Sequence, residues 1–191
     1  MNGSLAYQEK YEEYELINGE VYMMARPSLE HADISYNITS IFKNYLRGKR
    51  CRAFNEVDVY LSDKDHVIPD VLIVCNPDLL RDGRVNGAPD LAVEILSPST
   101  ARKDKLNKKA LYEKYGVKEY WIVDPIGKSI EVYHLVEGKF VLDNFYVEYR
   151  EKDMIRLTDE DKEAVKAQCP IKVSLYDDFA VDIVDVFRDV D

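Results

Sequence analysis

This sequence lacks long apolar runs and a basic, apolar start. A membrane-spanning helix needs ~20 consecutive apolar residues, and the apolar runs here extend over only a few positions. The first residues, MNGSLAYQEKYEEYE, are polar and acidic, unlike a secretory leader. We therefore expect a cytoplasmic protein with no membrane segment.

Clusters of metal-binding cysteine and histidine are also missing. The three cysteines, Cys51, Cys75 and Cys169, are far apart, and the three histidines are scattered. This spacing argues against a structural zinc site and against a disulfide framework. A metal bound by this chain would then be held by oxygen atoms.

Positive charge is scarce, because 26 Lys and Arg face 36 Asp and Glu, giving a formal net charge of −10. Non-specific nucleic-acid binding usually depends on a basic surface, so the overall charge argues against it. The bases are concentrated, however, in residues 43–55 and 102–118. These segments either bind phosphates or are ordinary solvated helix faces.

The length of 191 residues suits a single domain spanning residues 1–191, with its core at about 14–135. Within residues 14–24, Asn18-Gly19 predicts the type I′ turn of a β-hairpin. Ser28 is the predicted N-cap of a helix that ends at Gly48.

The remaining pattern alternates strands with a second helix. Strands are predicted over 55–61, 67–75, 91–96, 120–125, 129–135 and 139–149, with a polar turn at 63–66 and a helix over 103–115 that Gly116 ends. The apolar residues of the acidic tail are interpreted as packing. This order predicts an α/β/α sandwich around a mixed sheet.

Two carboxylates lie in strands that are otherwise apolar. Glu94 lies within Leu91–Leu96, and Asp70 follows Pro69 at the start of an apolar run. A carboxylate buried in this way needs a partner, a proton or a metal. Two acids on neighbouring strands can share one Mg²⁺, although each acid alone could instead cap a loop or pair with a base.

A lysine lies on the buried face of the second predicted helix. Asp104, Lys108, Leu111, Tyr112 and Tyr115 fall within roughly 60° of one helical face. A fixed cation near developing phosphoryl charge is what phosphoryl transfer requires. The alternative is an i,i+4 salt bridge between Lys108 and Asp104 on a solvated face.

These residues and their neighbours resemble a known family. Pro69-Asp70 and Glu94-Ile95-Leu96 resemble the signature of the PD-(D/E)XK nuclease superfamily. The segment Val93–Thr100, then Asp104, Lys108 and Tyr112, then Gly116–Pro125 with its Glu-Tyr-Trp-Ile-Val-Asp-Pro run, resembles the Uma2 family within that superfamily. The similarity covers about residues 14–135.

The resemblance implies a restriction-endonuclease-like fold, with an N-terminal hairpin and extra C-terminal strands, and a Mg²⁺- or Mn²⁺-dependent endonuclease acting on DNA. Asp70 and Glu94 would bind metal. Leu96 stands where the superfamily has its lysine, and Lys108 matches a lysine that has moved to the following helix. The resemblance also implies an acid near the site at Glu56, as a third ligand or water-positioning group.

Several assignments stay open at the level of sequence. Glu56 is otherwise an exposed strand residue, and His31 either touches substrate or the ligands, or is a core histidine. Glu30 is a weaker candidate, and Asp90 lies too far along the strand from Glu94 to share an ion with it.

Fold alone does not determine function. A catalytically inactive binding or assembly module on a nuclease fold is therefore the alternative to an enzyme, and the net charge and Leu96 support it. Exposed strands and the many tyrosines would suit a homodimer under either hypothesis.

Overall fold

The computed structural model describes residues 14–24, 26–149, 151–168 and 170–190. Its strands are β1 (Tyr14–Ile17), β2 (Glu20–Met23), β3 (Arg52–Asn55), β4 (Val59–Ser62), β5 (Asp65–Val67), β6 (Val71–Val74), β7 (Leu80–Arg81), β8 (Arg84–Asn86), β9 (Leu91–Ile95), β10 (Glu119–Asp124), β11 (Ser129–Val136), β12 (Lys139–Val147), β13 (Ile171–Lys172) and β14 (Ala180–Val181). Its helices are α1 (Leu29–Tyr45), a short 3₁₀ turn (Pro77–Leu79), a π-helical segment (Lys103–Lys108) that continues as α2 (Lys109–Tyr115), α3 (Glu151–Met154), α4 (Asp159–Gln168) and α5 (Ile183–Val186).

The N-terminal hairpin and the first helix form where the sequence predicts them. Asn18 and Gly19 connect β1 to β2 with φ of 53° and 82°, the left-handed values that a type I′ turn needs. The side chain of Ser28 accepts a hydrogen bond from the backbone N–H of His31 and so caps α1. The helix ends at Tyr45, shortly before Gly48.

A mixed six-stranded sheet, called the main sheet below, lies at the centre of the fold. Its strand order is β12-β11-β10-β9-β6-β3. β9 and β10 are parallel and all other neighbours are antiparallel. The parallel pair requires a crossover, which the π-helical segment and α2 provide. This arrangement confirms the predicted mixed sheet and second helix.

A second six-stranded sheet, in the order β2-β1-β5-β4-β8-β7, was not predicted. The predicted strand over 55–61 is wrong, because the chain leaves the main sheet after Asn55 and joins the second sheet at Val59. The break occurs at Glu56, whose φ is 48° and whose backbone N–H bonds to the carbonyls of Pro69 and Asp70.

The predicted strand over 67–75 is divided in the same way. Residues 65–67 belong to the second sheet, so the predicted polar turn at 63–66 is partly strand, and Val71–Val74 belongs to the main sheet. Pro69 lies between them and has no N–H to continue a ladder. Two of the chain's crossings between the sheets, β3 to β4 and β5 to β6, therefore lie next to Asp70.

The main sheet separates two hydrophobic cores. Along β9, Leu91, Val93 and Ile95 face the core that contains α1, whereas Ala92 and the following Leu96 face the core that contains α2 and the second sheet. Helices thus cover both faces of the main sheet, as the predicted sandwich requires. By the same alternation, Glu94 points to the side of α2.

The acidic tail packs on the α1 side, as interpreted from the sequence. β13, β14, α5 and the residues next to them supply buried side chains to that core, namely Ile171, Val173, Phe179, Val181, Ile183, Val186 and Phe187. No helix in the described ranges is long and apolar enough to cross a membrane.

The expectation of no disulfide is wrong for one pair of cysteines. Cys51 and Cys75 form a disulfide. The antiparallel register that pairs Arg52 with Val74 places these two cysteines directly opposite each other at the ends of β3 and β6. Sequence spacing alone does not reveal that register. Cys169 lies outside the described residues.

Candidate active site

A cleft of about 830 Å³ opens at the end of the main sheet where β6 begins and β9 ends. The sheet, the start of α1, the N-terminal hairpin and the π-helical segment all contribute to its wall. Its polar lining includes two acids that were not named from the sequence, Glu15 and Asp124. It also includes every candidate residue that was named for the site: Glu30, His31, Glu56, Asp70, Glu94, Asp104 and Lys108.

Asp70 and Glu94 lie opposite each other across β6 and β9. The antiparallel register pairs Val71 with Val93, so the next positions outward are Asp70 and Glu94. Asp70 Oδ2 accepts a hydrogen bond of 2.6 Å from the backbone N–H of Ile95, which fixes this carboxylate against β9. The two acids therefore share one side of the sheet and one cleft.

Glu94 is almost completely buried, with 2% of its surface exposed. Lys108 Nζ donates to its Oε2 at 2.8 Å, and the Tyr112 hydroxyl donates to its Oε1 at 2.6 Å. A carboxylate has about four lone-pair sites, so both oxygens of Glu94 keep capacity for a further ligand. The partners that the sequence argument demanded for this acid are present.

Lys108 is buried, with 3% of its surface exposed, so it does not lie on a solvated face. Its ammonium lies 2.7 Å from Glu15 Oε1, 2.8 Å from Glu94 Oε2 and 3.8 Å from Asp104 Oδ1. The i,i+4 pair with Asp104 therefore exists, but it is the longest of the three. Lys109, its neighbour in sequence, points elsewhere, with Nζ 3.4 Å from the ring centroid of Tyr133.

The helix that carries Lys108 buries the predicted face. Asp104, Lys108, Leu111 and Tyr112 are buried, whereas Leu106 is 56% exposed. The helix thus packs on one side, a point that the sequence left open. Its first part is π-helical, which the sequence pattern did not indicate. Irregular helical turns of this kind are frequent at functional sites.

Glu15, on β1, is the site residue that sequence reasoning missed. It is fully buried, and Lys103 Nζ donates to its Oε2 at 2.6 Å while the backbone N–H of Ile68 donates to its Oε1 at 3.1 Å. Glu15 shares the inner face of β1 with Ile17, as the alternation of burial shows. An acid on the same face as a core isoleucine was the available signal, and it is the argument that identified Glu94.

His31 and Glu56 line the cleft on either side of Asp70. His31 Nε2 lies 3.3 Å from Asp70 Oδ1, which places the ring among the candidate ligands and outside the apolar core. Burial alone would lower the pKa of His31, but the hydrogen bond and charge of Asp70, with help from Glu56, raise it overall. Glu56 is exposed at the break between the sheets.

The site holds more negative than positive charge. Burial raises the pKa of Glu94 well above its ordinary value, against the opposing charge of Lys108, and Asp70, Asp104 and Glu15 raise it further. Burial also raises the pKa of Asp104. The pKa of Lys108 is raised although burial opposes its charge, because Glu94 and Glu15 favour the ammonium.

The donor set suits a hard cation such as Mg²⁺. Within the described ranges no group of three or more His, Cys, Asp or Glu side chains is arranged as a metal centre. Mg²⁺, however, is typically held by one or two carboxylates and keeps several waters. Asp70 and Glu94 supply two such carboxylates on the wall of an open cleft, so the residues fit this ion.

Asp90, the acid of the second Pro-Asp dipeptide, lies at the other end of β9. It accepts hydrogen bonds from the backbone N–H of Cys75 at 2.7 Å and from Lys118 Nζ at 2.7 Å. These contacts link neighbouring strands and explain Asp90 as a structural residue. Asp90 thus lies away from Glu94, as its position along the strand predicts.

Comparisons with known proteins agree with the predicted family. The model of the Uma2 family, described as a putative restriction endonuclease, matches residues 4–160. The uncharacterized protein slr1290 of Synechocystis sp. is 30% identical over 134 residues, which cover 68% of this chain and 70% of that protein. The uncharacterized protein sll1609 of the same organism is 23% identical over 134 residues, covering 68% of this chain and 76% of that protein.

A solved structure shares the fold. The crystal structure of a putative nuclease belonging to DUF820 from Anabaena variabilis matches with a TM-score of 0.70 and 20% sequence identity, covering 94% of this chain and 92% of that chain. The likeness confirms the predicted restriction-endonuclease-like architecture. Because the family model matches most of its length, this chain belongs to the Uma2 family of putative restriction endonucleases.

Proposed function

We propose that this protein is an endonuclease that hydrolyses DNA phosphodiester bonds with Mg²⁺ or Mn²⁺ as its cofactor. The observation that carries the proposal is the convergence of Asp70, Glu94 and Lys108 on one open cleft. The family and the nuclease-like fold support a nuclease in general. The metal, the DNA substrate and the residue roles are our proposal.

The balance of charge in the cleft supports a divalent cation. Seven carboxylates line the cleft, whereas its cationic side chains are three, those of Arg26, Lys103 and Lys108. With His31 neutral, the formal charge of the lining is four negative, which a divalent ion would partly balance. The raised pKa values of Glu94 and Asp104 are the expected response of such a cluster without that ion.

Each of the residues in the cleft has a separate role in the proposed reaction. Asp70 and Glu94 would hold the ion, which would supply an activated water and neutralise charge at a phosphoryl oxygen. Lys108 would stabilise the charge that develops on the phosphate or orient the attacking water, because its ammonium is fixed before substrate arrives. Glu56, exposed on the other side of Asp70, would position water at the mouth of the cleft.

The alternative function, a catalytically inactive binding or assembly module, rests on Leu96 and on the net charge of −10. Leu96 does occupy the superfamily's lysine position and lines the cleft. Lys108 nevertheless places an ammonium beside Glu94 from the adjacent helix. Among the residues that the structure describes, no side chain fills the cleft, and this favours the enzyme over the module.

DNA would reach the cleft past exposed basic side chains that line or flank the cleft. Arg26 lines the cleft and Arg102 lies at the start of the π-helical segment, and both are exposed. Local positive charge of this kind is needed to bind phosphates on a protein whose net charge is negative. Binding should therefore weaken steeply as salt concentration rises.

The test is cleavage of supercoiled and linear DNA with Mg²⁺ or Mn²⁺, comparing Asp70→Ala and Asp70→Asn with Asp90→Asn. Both acids follow a proline next to a main-sheet strand, but Asp90 is held by Lys118 away from the cleft. We expect wild type and Asp90→Asn to cut both substrates and both Asp70 variants to lose cleavage while remaining folded. Equal activity of Asp70→Asn and Asp90→Asn would refute the proposed site.

A further inference from the structure

The N-terminal hairpin contributes a buried anchor to the cleft. Glu15 makes three charged or polar contacts, two with the π-helical segment and one with the link between β5 and β6. Its Oε1 lies 2.7 Å from Lys108 Nζ and accepts from the backbone N–H of Ile68 at 3.1 Å, and its Oε2 lies 2.6 Å from Lys103 Nζ. Both oxygens are therefore fixed, and the carboxylate is rigid.

Lys108 needs such an anchor more than a lysine on a strand would. A lysine at the position of Leu96 would share a face of the sheet with Glu94, and the strand itself would set its direction. Lys108 instead reaches Glu94 from a π-helical segment through a long side chain with large rotamer freedom. Its position is set by the carboxylates on each side, Glu15 at 2.7 Å and Glu94 at 2.8 Å.

Of these two carboxylates, only Glu15 remains a constant partner in the proposed reaction. A cation bound at Glu94 competes with Lys108 for the negative charge of that carboxylate. Without Glu15, the buried Lys108 ammonium would then keep only the more distant carboxylate of Asp104, at 3.8 Å, and a buried charge with so little compensation is unfavourable. The ion would not compete with Lys108 for Glu15 in this way, because Glu15 is also bound by Lys103 and by the backbone N–H of Ile68.

We infer that Glu15 is a positioning residue, which holds the Lys108 ammonium at the wall of the cleft when Glu94 takes up a divalent ion. This inference rests on the proposed nuclease function and extends it, because it makes the N-terminal hairpin a part of the active site. Glu15 acts through Lys108 and does not touch the substrate.

The test is a double-mutant cycle with a matched control. Glu15→Gln keeps the size of the side chain and an acceptor for Ile68 but removes the charge that holds Lys108. Glu113→Gln is the control, because Glu113 also binds a lysine and a backbone N–H, those of Lys139 and Phe140, and lies outside the cleft. Cleavage rates are measured at saturating DNA and Mg²⁺.

We expect Glu15→Gln to lower kcat by about 10²-fold with KM for DNA nearly unchanged, the scale of a misplaced catalytic group. Glu113→Gln should keep the wild-type kcat. In a Lys108→Ala background, Glu15→Gln should cause no further loss, because the group that it positions is gone. Independent, multiplicative losses from the two substitutions would overturn the inference, as would wild-type kcat in Glu15→Gln.

A second measurement does not depend on activity. Acetic anhydride labelling, followed by peptide mass spectrometry, reports how accessible each lysine is. Lys108 should label slowly in wild type and in Glu113→Gln, and several-fold faster in Glu15→Gln. If wild type cleaves no DNA, the proposed function fails and this labelling alone decides whether Glu15 holds Lys108. An unchanged labelling rate in Glu15→Gln would overturn the inference in either case.

Glu15→Asp covers the event that Glu15→Gln does not fold, as judged by circular dichroism. It keeps the charge but withdraws the carboxylate by one methylene group. We expect a folded protein with kcat between those of wild type and Lys108→Ala, and with Lys108 labelling faster than in wild type. Wild-type kcat and wild-type labelling in this variant would contradict the positioning role.

Discussion

Two buried glutamates on adjacent strands of the main sheet, Glu94 on β9 and Glu119 on β10, have opposite surroundings. Glu119 is fully buried and accepts hydrogen bonds from Trp121 Nε1 at 2.6 Å and from the backbone N–H and hydroxyl of Ser174 at 2.8 and 2.5 Å. These donors are neutral, and those of Ser174 connect β10 to the C-terminal segment. His134 Nε2 lies farther away, 3.8 Å from Glu119 Oε2. Glu119 does not line the cleft.

Glu94 is bound instead by a lysine and faces a cleft shared with other acids. A buried acid in a strand therefore does not by itself indicate a functional site. What distinguishes Glu94 is an excess of negative charge around it and open space in front of it. Glu119 has hydrogen-bond donors on both oxygens and lies away from the cleft, so structure alone explains it.

The largest expected difference between the two glutamates concerns Lys108, which contacts Glu94 and which we propose to be catalytic. We expect Lys108→Ala to lower the cleavage rate at saturating DNA by ~10²-fold or more, the scale for one preorganised transition-state contact. Lys109→Ala should weaken DNA binding modestly and reduce its salt dependence. Steady-state kinetics at several salt concentrations measures both effects, and similar behaviour of the two variants would refute the role of Lys108.

The second largest expected difference between Glu94 and Glu119 is their effect on metal binding. A ligand present at 100 times its Kd stabilises the folded state by about 2.7 kcal/mol, so Mg²⁺ or Mn²⁺ should raise the Tm of wild type by several degrees. Glu94→Gln should abolish this rise and Glu119→Gln should keep it. Differential scanning fluorimetry gives the comparison, and an equal rise in all three proteins would show that the ion binds elsewhere.

The structural role assigned to Glu119 predicts a loss of stability without a loss of function. Glu119→Ala leaves Trp121 Nε1 and the backbone N–H of Ser174 without their acceptor, at a cost of about 1–3 kcal/mol for each buried unsatisfied group. Urea unfolding measures the change in free energy. The folded variant should cleave at the wild-type rate, and a large fall in kcat at full folding would contradict this assignment.

The smallest expected difference concerns the pH dependence of stability without metal. Burial raises the pKa of Glu94 well above 4.5 and also raises that of Glu119. A raised native pKa stabilises the fold fully below pH 4.5, and this stabilisation is lost as pH rises through the native pKa. Glu94→Gln should therefore lose less stability than wild type between acid and neutral pH.

Glu119→Gln should change the pH dependence of stability less than Glu94→Gln does, because the pKa of Glu119 is raised less than that of Glu94. Urea unfolding at a series of pH values in the presence of a chelator provides the measurement. Stability curves of wild type and Glu94→Gln that run parallel over the whole range would show that Glu94 does not hold a proton in the metal-free protein.

Sequence patterns predicted the parts of the fold that depend on local chemistry. The Asn18-Gly19 turn, the Ser28 cap and the apolar run of β9 each carry their own signal, and each forms as predicted. The second sheet was missed, because it depends on two crossings of the chain next to Asp70 that strand periodicity does not mark. The Cys51–Cys75 disulfide was missed because it follows from the register between β3 and β6, which local sequence patterns do not reveal.

The candidate site shows the same division. The helical spacing of Asp104, Lys108 and Tyr112 was readable and they are buried on one face. Glu15 was not recognised, because it reaches the cleft only through the pairing of β1 with β5 in the unpredicted sheet. The catalytic roles, the homodimer and the extent of a single domain over residues 1–191 stay predictions.

The most direct test of the account is cleavage of supercoiled plasmid at saturating Mg²⁺ by wild type, Glu94→Gln and Glu119→Gln, each shown to be folded by circular dichroism. We expect wild type and Glu119→Gln to cut the plasmid at similar rates and Glu94→Gln to be inactive. Cleavage by Glu94→Gln at the wild-type rate, or no Mg²⁺-dependent cleavage by folded wild type, would contradict it.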